Sequence, residues 1–253
     1  MNISTILLII GILILLYIVI RYIVSDTSTL SYLASATEMT TISASTLAPS
    51  SSGAYSSNFS YSIWVYVNDW NYKYGEPKVI FGRMSAPSSS SSSGTNGSGP
   101  CPLVTLGPLS NNLDIALSVY PGITNDTSLT DTTNSLIHTC SVTNVPIQKW
   151  VNILISTYGR SLDVYLDGKL VKTCVLPGIA KINDSANVYI TPNGGFNGWT
   201  SKFQYFPNST DPQTAWNIYQ KGYGSNSLYN LFGNYQVKVS FVENGTESSS
   251  ITL

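Results

Sequence analysis

Leu162 to Leu166 and Lys169 to Leu176 are two apolar-alternating runs joined by Asp167-Gly168 alone. A two-residue hairpin turn of type I′ needs positive φ at both central positions, and Asp-Gly supplies that at low cost. The chain is thereby committed to antiparallel pairing at this point. The same two-residue period recurs along most of the remaining sequence. In Phe59 to Val67 the residues Phe59, Tyr61, Ile63, Val65 and Val67 fall on one face, and in Leu113 to Val119 so do Leu113, Ile115, Leu117 and Val119. Further strands are expected at Lys78 to Met84, Leu103 to Leu106, Ile137 to Val142, Val151 to Thr157, Ala186 to Thr191, Trp199 to Phe206, Gln236 to Val242 and Ser248 to Leu253, with Asn244-Gly245 as a second hairpin turn. Many short antiparallel strands separated by turn residues make an all-β, two-sheet sandwich or a barrel. One helix interrupts them, with Thr210 as N-cap, Pro212 in the first turn and Ala215, Trp216 and Tyr219 at helical spacing before Gly222.

The N-terminus obeys a different pattern. Ile6 to Ile20 reads ILLIIGILILLYIVI, with Ile3 and Ile23-Val24 extending the apolar run on both sides. At about 1.5 Å per residue, residues 3–24 cover a hydrocarbon core of roughly 30 Å, so a transmembrane helix is expected there. A cleaved signal peptide fits less well, because nothing basic precedes Ile6 and the one Ala-x-Ala pattern, Ala34-Ser35-Ala36, lies far downstream. Residues 25–57, rich in Ser, Thr and Ala, are expected as a stalk, and 58–253 as the sandwich. The segment Ser85 to Pro100, with six consecutive Ser, is an insertion between strands. Arg21 alone gives a weak lean toward a cytosolic C-terminal domain. Seven Asn-x-Ser/Thr sequons do not reverse it, since 21 Asn with a Ser-plus-Thr fraction of 62 in 253 give about five by chance.

Asp, Glu, Lys and Arg make up 10% of the chain and its net charge is −1. That excludes a basic field for nucleic acid. The 17 Tyr and 5 Trp, with abundant Ser, Thr and Asn, instead suit neutral partners, sugar or protein. Catalytic groupings are missing. The only glutamates are Glu38, Glu76, Glu243 and Glu247, and Asp163 and Asp167, four apart on a strand, stand about 13 Å apart, too far for a retaining hydrolase pair. His138 has no ligand-spaced partner and reads as an edge residue. No metal, cofactor or enzymatic activity is expected; Asn125, Asp126 and Asp131 are weak calcium candidates in one loop. Cys140 and Cys174 sit in strands that can come within disulfide reach, leaving Cys101 over. Three buried thiols are the other reading.

The stretch from Asn144 to Val151 (NVPIQKWV), the hairpin DVYLDGKLV from Asp163, and Gly195 to Trp199 before a strand and the Thr210 helix resemble the concanavalin A-like, laminin-G-like jelly-roll family over about Asn58 to Gly224. The resemblance implies that Trp150 packs between the sheets, and Trp64 and Trp199 are read with it as structural core. The phrases DGKLVKTCVLPG and DPQTAWNIYQKGYG behind an N-terminal anchor are similar to membrane-associated minor capsid proteins of large icosahedral DNA viruses. That likeness implies a non-enzymatic structural protein at the virion inner membrane, joined to the bilayer and to other capsid or membrane proteins. The alternative is a membrane-anchored glycan-binding module. The two differ in their aromatics: a lectin presents them beside Asn and Asp, whereas a scaffold buries them on protein neighbours.

Overall fold

The computed structural model describes residues 11–12, 14–15, 17, 28–47, 57–86, 99–120, 136–224, 238–243 and 246–252. The chain divides into two units, Thr29–Ser225 and the two terminal segments 1–28 and 226–253.

The first unit is an all-β, two-sheet antiparallel sandwich with one short surface helix. Its strands are β1 (Thr29–Ser31), β2 (Ala34–Ser35), β3 (Thr40–Ile42), β4 (Ser60–Asp69), β5 (Lys78–Arg83), β6 (Leu103–Leu106), β7 (Leu113–Val119), β8 (Leu136–Val142), β9 (Trp150–Tyr158), β10 (Ser161–Leu166), β11 (Lys169–Val175), β12 (Val188–Ile190) and β13 (Asn197–Phe206). Sheet A runs β1-β13-β4-β9-β10-β11, with β2 also on β13; sheet B runs β3-β12-β5-β6-β7-β8. Strands distant in sequence are thus neighbours, because the chain crosses repeatedly between the sheets. Alternation sets the core: Phe59, Tyr61, Ile63, Val65 and Val67 meet Val151, Ile153, Ile155, Leu162 and Val164 within sheet A and Val104, Ile115, Leu117, Val188 and Ile190 from sheet B. Asp167 and Gly168 take φ of 49° and 73°, the positive pair that the β10–β11 turn requires.

The boundaries differ from the expected ones. Residues 29–47, expected within a stalk, belong to the sandwich: β1 and β2 pair with β13, β3 pairs with β12, and a one-turn helix α1 (Ala44–Leu47) follows. Edge strands are held by backbone hydrogen bonds, so they need few large apolar side chains; Ala36, Ile42 and Leu47 supply the buried contacts. At the other end, β14 (Lys238–Glu243) and β15 (Thr246–Thr252) pair with each other as a separate ribbon outside the sandwich unit. Of the expected membrane span only residues 11, 12, 14, 15 and 17 are described, all helical. Among the described residues no helix is long and apolar enough to cross a membrane, and the rest of that span, like most of the Ser-rich insertion and the Asn244-Gly245 turn, lies outside them.

Cys140 and Cys174 form a disulfide with a Cα separation of 6.1 Å. Their strands, β8 and β11, belong to different sheets and are not hydrogen-bonded neighbours. β8 closes one side of sheet B and β11 the same side of sheet A, so the bond clasps the two sheets at their edges. Lys172 adds a bond from its ammonium to the Ser141 carbonyl at 2.8 Å. Cys101 is buried as a thiol, pushed up to about 12 by its burial, and acts as a small apolar group. The clasp closes 34 residues of sequence, for which chain entropy gives about 3–4 kcal/mol. A Cys140→Ser, Cys174→Ser double variant is expected to lose that much in urea unfolding under oxidising conditions, while a Cys101→Ala variant keeps the clasp and loses less.

Candidate functional site

The outward-facing residues of β4 are Ser60, Ser62, Trp64 and Tyr66, which alternation places opposite the core. Their cross-strand partners stand on the same face. Tyr66 lies directly between Trp199 of β13 and Trp150 of β9, and Trp64 between Ser201 and Asn152. Trp150 therefore does not pack between the sheets. Val151, Ile153 and Ile155 are the inward residues of β9, so Trp150 belongs to the outer set and is half-buried there. Trp199, also expected in the core, is 43% exposed on the same face, and Trp64 is buried at 5% exposure but beneath the helix instead of in the main core.

That helix, α2 (Pro212–Gln220), lies over the outer face of sheet A through Ala215 and Ile218, which pack with Leu154 and Tyr165. Its N-cap is Asp211, not Thr210. Asp211 has the extended backbone of a cap, and its carboxylate accepts from the amides of Gln213 and Thr214 at 2.9 and 3.0 Å and from the Thr214 hydroxyl at 2.6 Å. Thr210 is buried, its amide donating to Ser156 Oγ at 2.8 Å, which ties the chain to the sheet before the helix begins. Gly168 receives the far side of α2 so closely that a Cβ there would stand 2.9 Å from Tyr219 Cβ and 3.0 Å from the Trp216 ring. The hairpin glycine thus serves both turn and helix.

Beyond α2 the chain turns back along the sheet. Tyr219 stacks on Trp64 at 5.5 Å and 20°, and Tyr223 stacks on Trp150 at 4.5 Å and 12°. Ser201 Oγ holds the Tyr223 carbonyl at 2.7 Å, and the Lys202 ammonium holds the carbonyls of Lys221 and Gly222 at 3.4 and 3.2 Å. Trp64, Tyr66, Trp150, Trp199, Trp216, Tyr219 and Tyr223 form a connected set of ring contacts, with Trp199, Trp216 and Tyr223 exposed at its surface. Polar side chains border the open end. Asn68 Nδ2 donates to Asn197 Oδ1 at 3.1 Å, Gln148 Nε2 donates to the Asn68 carbonyl at 3.5 Å, and Lys149 pairs with Asp167 at 3.3 Å.

The two aspartates considered for hydrolysis have structural duties. Asp163 accepts from the Thr173 hydroxyl at 2.6 Å across β10–β11, and Asp167 accepts from the Asn152 amide at 2.9 Å while pairing with Lys149. His138 is half-buried on the edge strand β8. Among the described residues no group of three or more His, Cys, Asp or Glu could hold a metal ion; Asn125, Asp126 and Asp131 lie outside them. The aromatic face could have been found from parity alone, since any ring out of phase with the apolar alternation must lie outside the core.

The Asp211 carboxyl is held below its ordinary value, first by the Thr214 hydroxyl and then by backbone amides. A depressed carboxylate contributes stability above its unfolded value near about 4 and loses it as pH falls through its lower folded value. Asp211→Ala should therefore loosen α2 at neutral pH and shift tryptophan emission as Trp64 and Trp150 lose their tyrosine partners. Wild type should show that change only in acid. Trp64→Ala should cost about 3–5 kcal/mol as a large buried truncation. Trp199→Ala, on the exposed face, should stay within about 0.5 kcal/mol.

The sequence matches no family model and no curated protein. Solved structures to which it is similar include the binding domain of botulinum neurotoxin serotype D/C, with 18% identity and a TM-score of 0.45 over 65% of this chain and 36% of that one. The serotype G binding domain has 15% identity and a TM-score of 0.44 over 75% and 37%. The receptor-binding domain of a mosaic serotype C/D has 11% identity and a TM-score of 0.47 over 65% and 36%. The chain thus spans about a third of the length of these structures.

Proposed function

We propose that this chain is a non-enzymatic recognition module, held at a membrane by residues 3–24, that binds a glycan through the outer face of sheet A. The observation that supports this reading is the row Trp199–Tyr66–Trp150 with Asn68, Asn197 and Gln148 at its end. Aromatic faces stack on the apolar C–H surface of a sugar ring, and carboxamides offer a donor and an acceptor together to its hydroxyls. Low overall charge agrees with such a partner. Asp163 and Asp167 are engaged in strand and turn contacts, which supports the non-enzymatic part of the proposal.

A second reading is the scaffold that joins an internal viral membrane to a capsid shell by protein contacts. Trp216 favours it, because this exposed ring continues the aromatic surface along α2 beyond the footprint of one or two sugars, and aromatic residues dominate protein interfaces. Glycan-array binding by the full chain in nanodiscs tests the first reading. A specific hit is expected, and it should be lost in Trp199→Ala at unchanged melting temperature. An empty array, together with cross-linking of a stoichiometric protein neighbour through a photoreactive group at position 216, would decide for the scaffold.

A further inference from the structure

Resting on the glycan reading, we infer that the ligand is an uncharged, soluble oligosaccharide seated in a trough over Tyr66, and that Asn68, Asn197 and Gln148 determine which sugar is taken. The shape argument comes from ring geometry. Tyr66 is 5.7 Å from Trp150 and 5.7 Å from Trp199, inclined to them by 56° and 57°. Rings so inclined cannot form one plane. A flat crystalline polysaccharide, which needs coplanar rings to lie on, is therefore a poor fit. Two steps of 5.7 Å also put the tryptophan centroids at most 11.4 Å apart, room for one or two sugar units. One face of Trp150 is already covered by Tyr223. The exposed Trp199 and the half-buried Tyr66 are then the stacking surfaces that remain, and Tyr223 serves as a wall.

The chemical argument comes from the polar groups. The bond from Asn68 Nδ2 to Asn197 Oδ1 fixes both carboxamides side by side and leaves Asn68 Oδ1 and Asn197 Nδ2, an acceptor and a donor, for hydroxyl groups. Gln148 is held beside them through the Asn68 carbonyl, with Oε1 as a further acceptor. Recognition of a sialylated, sulfated or uronic sugar calls for a cation, and the lysines that border the face have other work. Lys149 is paired with Asp167, and Lys202 holds the carbonyls after α2. Asp69, next in sequence to Asn68, accepts from the Asn71 amide at 2.9 Å where β4 ends. The site thus offers amides and rings to a neutral ligand and only lysines that are already engaged to an anionic one.

The test uses the full chain in nanodiscs, titrated calorimetrically with the neutral oligosaccharides that score on an array and with their sialylated and sulfated forms, beside sedimentation with microcrystalline cellulose and chitin. Neutral ligands should bind. Trp199→Ala and an Asn68→Ala, Asn197→Ala pair should each weaken them at least about tenfold, while Tm stays unchanged. Lys149→Gln should leave the affinity within about twofold. Acidic glycans bound as tightly as neutral ones, binding indifferent to Asn68 and Asn197, or a preference for the crystalline polymers would overturn the inferred specificity and leave the glycan reading standing. If no glycan of any class binds and a protein partner is captured on this face, the glycan reading falls with it.

Discussion

The alternation of β4 governs the molecule. One set of its residues, Tyr61, Ile63, Val65 and Val67, enters the core between the sheets, and the other, Ser60, Ser62, Trp64 and Tyr66, builds the floor of the outer face. A slip of one residue would exchange the two sets and expose the core. The register is held from both sides, by β13 and by β9, over most of the strand's length. Where β4 leads, the partners follow: the pairing that aligns Val65 with Val151 is the pairing that sets Tyr66 beside Trp150. Fold and candidate site are therefore specified by the same hydrogen bonds.

Sheet A is covered by sheet B on its inner face and in part by α2 on its outer one, and the two layers differ in chemistry. The inner layer is mostly apolar, with Thr157 and the Tyr61 hydroxyl, which meets the buried Arg83, among its few polar groups. Under α2 there are buried polar groups instead: Asn152 Nδ2 donates to Ser62 Oγ at 3.0 Å, and Ser60 Oγ reaches Ser156 Oγ at 3.1 Å and the Asn208 carbonyl at 2.9 Å. Such bonds add little net free energy but are costly to leave unmade, so they fix where the segment before α2 must lie. The apolar contacts of Ala215 and Ile218 with Leu154 and Tyr165 then hold the helix down. Directional groups position the cover, and apolar ones stabilise it.

Much of this was legible in the sequence, and the parts that were not have physical causes. Strand positions were readable because burial on one face enforces a period of two, as in LDIALSV of β7. Trp64 is buried as expected, but phase decides the side: it falls between inward Ile63 and Val65, and Trp150 adjoins inward Val151, so both rings point away from the space between the sheets that the family resemblance implied for Trp150. Residues 29–47 were missed for a different reason. Hydrophobicity says little about a strand stabilised by backbone bonds to a partner more than 140 residues away, and Thr40 to Ile42 opposite Val188 to Ile190 is such a case. Thr210 and Asp211 can both cap on paper, and tertiary structure joins the higher cap preference of Asp in the choice between them, since Ser156 draws Thr210 into the sheet.

A rigid platform with a separable working surface follows from these features. Trp64 lies under Tyr219 and carries stability, whereas Trp199, one cross-strand row away and open, carries little. Changes at Trp199, Asn68, Asn197 and Gln148 can therefore alter what the face accepts without loosening the sandwich, because none of them packs in the main core. The exception is Tyr223. It is 45% exposed and yet stacked on Trp150, with its carbonyl held by Ser201, so it belongs to the surface by accessibility and to the scaffold by contact. Its removal would free a second tryptophan face and lengthen the stacking row from Trp199 through Tyr66 to Trp150. The extent of the platform is in this way set by a single ring placed after the helix.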